Sequence, residues 1–122
     1  MKQPLNNQPD IAVAICPVAR VRDLNDAFRR SFSGGRVIVT RSVADLPEDD
    51  QAIVLEQVRT FSAFSADNDP HGEHDFGSFT HRSEKYFWKI DYYDADGVYG
   101  SENPADLAVT TRVLTIMRAD EY

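Results

Sequence analysis

Val21, Leu24, Phe28 and Phe32 fall three, four and four residues apart, the spacing of one face of a helix. Pro17 suits the first turn of that helix. Arg20, Arg22, Asp23, Asp26, Arg29 and Arg30 fill its other faces, and Gly34-Gly35 offers a left-handed end. Residues 36–41 are a short β-branched run and read as a strand. A second helix is signalled after Pro47, where Glu48, Asp49 and Asp50 load the first turn with anions that suit the helix dipole. Its apolar stripe is Val54, Val58 and Phe61, and it fades over residues 61–64. Residues 65–73 form a loop. Residues 75–81 and 86–93 then read as two strands of a hairpin, joined through residues 82–85. On the second strand Tyr86, Trp88, Ile90 and Tyr92 share one face, and Phe87, Lys89, Asp91 and Tyr93 the other. A turn-rich loop over 94–104 leads to a last strand near 110–117. The order predicts an α+β fold, with two helices packed on one face of a mainly antiparallel sheet of about four strands.

The 122 residues suit one domain, read as a loose tail over 1–14 and a single α+β domain over 15–122. An apolar fraction of 42% with 11% aromatics is that of a folded chain. A lone cysteine, Cys16, rules out an internal disulfide and fits a reducing compartment. No segment approaches the roughly 20 apolar residues that span a bilayer, and the run 11–16 is too short for a signal peptide. The expected setting is the cytoplasm, with no membrane contact.

Charge changes this picture. Residues 65–106 hold ten acids and three bases, and ten minus three accounts for the whole net charge of −7. Such a field disfavours direct binding to a nucleic-acid backbone. It suits a cation, a basic protein surface, or solubility alone.

The richest chemistry lies in the same region. Two of three histidines fall in Asp69-Pro70-His71-Gly72-Glu73-His74-Asp75, and the only tryptophan in Phe87-Trp88-Lys89-Ile90-Asp91-Tyr92-Tyr93-Asp94. A hairpin centred on Ser83-Glu84 sets Asp91 opposite Phe76 and Tyr93 opposite His74. His71, His74, Asp75 and Asp91 then gather at one end. Imidazole with carboxylate suits a divalent transition metal, and Glu73 or Asp91 could serve as base for a metal-bound water. The candidate catalytic residues are therefore His71, Glu73, His74, Asp75 and Asp91. The same residues also suit an Asx-turn loop tied to a sheet by hydrogen bonds. Without a metal, Asp69, His71, His74, Asp75, Trp88, Asp91, Tyr93 and Asp94 form a candidate binding surface, and no cofactor is expected. Asp94-Ala95-Asp96-Gly97 lacks the ligand spacing of an EF-hand. Gly34-Gly35 lacks the following Lys-Ser/Thr of a phosphate loop.

The blocks Leu24-Asn25-Asp26, Gly34-Gly35-Arg36-Val37, Leu46-Pro47-Glu48, residues 68–77, residues 87–94 and Thr111-Arg112-Val113-Leu114-Thr115-Ile116-Met117 carry a family likeness. Over about residues 18–122 the chain resembles domain-of-unknown-function family 3768. The resemblance implies a small bacterial protein, mainly alphaproteobacterial and often plasmid-borne. It implies no activity. Together these readings favour an accessory protein that binds a protein partner through residues 65–106, in an anti-defence or plasmid-related role. The alternative is a metal-dependent hydrolase built on the His/Asp cluster, so whether the chain is an enzyme stays open.

Overall fold

A computed structural model describes residues 17–122; the expectations for residues 1–14 and for Cys16 lie outside the described residues. Among the described residues the fold is α+β, with three α-helices and a four-stranded mixed sheet. Helix α1 spans Pro17–Ser31, strand β1 Arg36–Val39, helix α2 Arg41–Ala44 and helix α3 Glu48–Arg59. Strand β2 spans Phe76–His81, β3 Glu84–Tyr93 and β4 Thr111–Arg118. The spatial order is β1-β4-β3-β2.

The sheet is mainly antiparallel, as expected, through β2-β3 and β3-β4, but β1 runs parallel to β4, with Val37 beside Leu114 and Val39 beside Ile116. The third helix, α2, turns the chain directly out of β1; it carries Val43, fully buried, into the core.

The hairpin register also differs. Phe76 faces Lys89 and His81 faces Glu84, so the turn is only Arg82-Ser83. Both turn residues have positive φ, at 50° and 69°, as a two-residue turn matching the strand twist requires. Arginine and serine are poor markers of such a turn, so the sequence pattern misplaces it by one residue.

Alternation along β3 and β4 sorts the sheet into two faces. Tyr86, Trp88, Ile90, Leu114 and Ile116 point one way and meet Phe28 of α1, Val43 of α2, and Val54 and Val58 of α3 in a single core. The opposite face carries Arg36, Ile38, Lys89, Asp91, Tyr93 and Thr115, which line an open hollow of about 320 Å³. Trp88 sits at the centre of the core, fully buried, with Phe61 and Phe64 edge-on to its ring. Gly77 lies opposite it in β2, and a Cβ there would stand 2.4 Å from the indole Nε1.

The end of α1 is not capped by glycine. Phe32 takes the left-handed conformation at φ 57°, and its amide donates to the carbonyl of Phe28. Gly35 serves close approach instead: a Cβ there would lie 2.6 Å from the Arg112 carbonyl and 2.8 Å from the Phe28 ring.

Candidate functional site

The loop of residues 60–75 folds back over α1 and the end of β3. Asn68 organises its first turn, its side chain accepting from the Ser65 amide and donating to the Ala63 carbonyl. Gly72, at φ 68°, and His74, at φ 55°, then reverse the chain into β2. Histidine pays strain there that glycine would not. What holds it is a set of side-chain contacts. The His74 ring stacks on Phe64, with centroids 3.7 Å apart and planes within 3°. Its Nδ1 lies 2.9 Å from the Asp26 carboxylate, and its Nε2 lies 3.6 Å from Asp69. Asp69 also accepts from the His74 amide. The imidazole is thus bracketed by two carboxylates and an aromatic face.

Beside it lies a deeper polar chain. Asn25 of α1 is fully buried and donates to the Glu73 carbonyl at 3.0 Å and to the Tyr92 hydroxyl at 2.8 Å. Its own side-chain oxygen accepts from Arg112 Nε at 2.7 Å. The Tyr92 hydroxyl in turn faces Glu73 Oε1 at 3.2 Å and Asp75 Oδ2 at 3.5 Å. One hydroxyl proton serves two carboxylates. Burial, then the neighbouring Glu73 charge, raises the Asp75 pKa above the usual range. Burial also pushes the Tyr92 hydroxyl far above the normal phenol value, so it stays protonated at neutral pH.

Two buried arginines frame this network. Arg29 donates to the Val58 and Arg59 carbonyls at the end of α3 and to Asp26, and its guanidinium lies 5.0 Å from the Trp88 ring. Arg112 donates to Asn25 and to the Pro104 carbonyl, with its guanidinium 5.2 Å from the Tyr92 ring. Burial lowers both pKa values. Arg29 Nε and Arg112 Nη1 have no partner among the described residues.

The expected site residues therefore part company. Asp69, Glu73, His74 and Asp75 belong to one network on the helix side of the sheet. Asp91, expected to join them, lies on the opposite face and pairs with Lys89 at 2.8 Å. The observed alternation explains this: Ile90 and Tyr92 point to the helices, so Asp91 and Tyr93 cannot. Trp88 belongs to the core. Asp94 accepts from the Val98 amide and closes the turn after β3; this bond leads in holding its carboxyl below the usual range. His71 is exposed. Among the described residues no three His, Cys, Asp or Glu side chains converge as a metal ion needs.

The sequence pattern missed Asn25, Asp26, Arg29, Phe64 and Arg112. One signal was present: Asn25 and Arg29 lie at helical spacing from Val21 and Phe28, on the face turned to the sheet. A second, smaller cluster was also unmarked. His81 Nε2 and Arg82 Nε both reach Asp50 at the start of α3, at 2.9 and 2.7 Å, and pin the hairpin turn to that helix.

The model of a protein family described as "Protein of unknown function (DUF3768)" matches residues 39–121. The chain belongs to this family. In this DUF3768 chain the matched span supplies the loop, the hairpin and β4, while α1, with Asn25, Asp26 and Arg29, lies before it. No curated protein and no solved structure matches the chain. Among the described residues no helix is long and apolar enough to cross a membrane.

Proposed function

We propose that this protein acts by binding a partner protein through its acidic region, residues 65–106, with the loop after β3 as the centre of contact. The observation that carries this reading is a hollow of about 410 Å³ lined by Asp94, Asp96, Glu102, Asn103, Asp106 and Val109. Along the same loop, Val98, Tyr99 and Leu107 are 63%, 74% and 55% exposed. Large apolar side chains left in water among charges mark contact surfaces, and tyrosine is a favoured anchor. The acids select a basic partner by steering and by rejecting acidic competitors.

The network around His74 supports the reading indirectly. Its polar groups bind one another and hold the loop of residues 60–75 to α1, which leaves the rim loop as the accessible chemistry. Nothing in the geometry favours the metal-dependent hydrolase, since both His74 nitrogens face carboxylates and Asp91 is across the sheet. An acidic surface presents to a host protein the dense negative charge of nucleic acid. That property suits an anti-defence or plasmid-related role in the bacterial cytoplasm.

The test is capture of partners from a bacterial host lysate by the tagged chain and by the pair of substitutions Glu102→Lys and Tyr99→Ala. The wild type should retain a basic protein that the variant loses, with the melting temperature unchanged. Equal retention by both would sink the proposal.

A further inference from the structure

The sheet face turned away from the helices is basic in an acidic molecule. Among the described residues of its strands, Arg36, Lys85 and Lys89 stand on it against Asp91, in a chain of net charge −7. Lys89 is paired with Asp91, and Lys85 lies over the Phe87 ring. Arg36 has no ion-pair partner among the described residues. The face is also apolar: Ile38 is 45% exposed beside Thr115, and Phe76, Phe87 and Tyr122 cluster at its other side. Its complement is on the same chain. The turn after β3 presents Asp96 with exposed Val98 and Tyr99, and borders the face directly, since Gly97 lines the open hollow and Thr111 Oγ1 reaches the Ala95 carbonyl.

We infer that the open sheet face docks a second copy of this chain, as a twofold dimer in which each acidic turn lies over the basic, apolar face of the other. Two complementary patches that share a border can close a twofold pair, and no free patch then remains to extend a filament. Size points the same way. Four strands of 4, 6, 10 and 8 residues, at about 4.8 Å spacing and about 3.3 Å per residue, give a face of about 440 Å². A standard interface buries about 800 Å² per partner. The face alone falls short, and the turn supplies the remainder. The turn also belongs to the proposed partner site, so self-association and partner binding compete for it.

The experiment is sedimentation equilibrium of the purified full chain, alone, across a concentration series at low and high salt. Because no partner protein is present, its outcome is separate from that of the capture experiment. The wild type should form a dimer that weakens as salt rises. Arg36→Glu and Asp96→Lys should each raise the dissociation constant at least about tenfold. Their combination in one chain should recover most of the loss, since each mutated face then meets a mutated turn. A chain that stays monomeric at every concentration overturns the inference. Dimers that both single variants leave intact overturn it too, as does a double variant no tighter than the singles. Binding of a single-stranded RNA oligonucleotide by the wild type that Arg36→Glu abolishes would assign the face to nucleic acid and refute the dimer.

Discussion

Gly77→Ala should destabilise this fold through one contact. Gly77 has no positive φ, so alanine is allowed by the backbone there, and on entropy alone the change should stabilise by about 0.5–1 kcal/mol. The added Cβ, however, would stand 2.4, 2.7 and 2.8 Å from Nε1, Cε2 and Cζ2 of Trp88. Ordinary contact between such atoms is about 3.5–4.0 Å, so ring or strand must move by about 1 Å. The ring has little freedom. It is fully buried, with Phe61 and Phe64 at centroid distances of 5.6 and 6.1 Å and Arg29 at 5.0 Å over its plane. Overpacking of this kind costs about 1–3 kcal/mol. With three ring atoms in conflict the upper end applies, and the net loss is about 2 kcal/mol after the entropy gain. For a chain of this size that lowers the melting temperature by about 8 °C. The assay is thermal and urea unfolding of a double-mutant cycle with Trp88→Leu. In the Trp88→Leu background the clash is gone, and Gly77→Ala should be neutral or stabilising, giving a coupling of about 2 kcal/mol. An unchanged melting temperature for Gly77→Ala, or the same loss in both backgrounds, would refute the packing argument.

His74→Ala removes the stack on Phe64 and the contact that Asp26 makes, and should cost about 1–3 kcal/mol in chemical denaturation; partner capture retained at wild-type strength alongside that loss would mark His74 as a purely structural residue. Asp75 has its folded pKa raised above an unfolded value near 3.8, so its protonated form favours folding, and that contribution is lost as pH rises from the unfolded to the folded pKa. Asp75→Asn should therefore gain stability over wild type at neutral pH and lose that gain below about pH 3.8; a gain independent of pH would contradict this. Glu121 has the opposite sign. Burial opposes its charge, but hydrogen bonds from Thr40 Oγ1 and the amides of Ser42 and Arg118 outweigh it and hold its carboxyl at about 2. Glu121→Gln should cost stability at neutral pH, with the difference shrinking as pH falls from 4.5 towards 2; a constant difference across that range would show the carboxylate's charge is irrelevant.

The elements legible in the chain were those whose signals are local. The acidic first turn after Pro47 and the apolar stripe at Val54 and Val58 announce α3, and alternation from Tyr86 to Tyr93 announces β3 and its buried face. The parallel pairing of β1 with β4 was not legible, because a β-branched run such as Val37-Ile38-Val39 states that it is a strand and not which strand it joins. Asp91 was misplaced because it was grouped with His74 and Asp75 by its end of the hairpin; the period of two, which already set it on the face opposite Tyr92, turns its carboxylate away from them. The network was half visible. His74 and Asp75 stood out by their chemistry, whereas Asp26 and Arg29 read as polar residues filling the other faces of an amphipathic helix, and Asn25 carried no chemical sign of a role. Their partners lie 29 to 87 residues away in sequence, beyond the reach of a local pattern. The family was legible from its blocks of residues.

The strand order β1-β4-β3-β2 carries a consequence for how the molecule is made. Strand β4 is central, yet it is synthesised after every other strand, and it joins β1 across a sequence gap of about 77 residues, from Val37 to Leu114. Until residues 111–118 leave the ribosome, the hairpin of β2 and β3 can form, but β1 has no neighbour and Tyr86, Trp88 and Ile90 lack Leu114 and Ile116 beside them. The nascent chain thus waits with its most aromatic strand half-covered, and the sheet closes by insertion rather than by extension. Long-range pairing of this kind is slow, and the waiting state exposes two strand edges to any neighbouring chain.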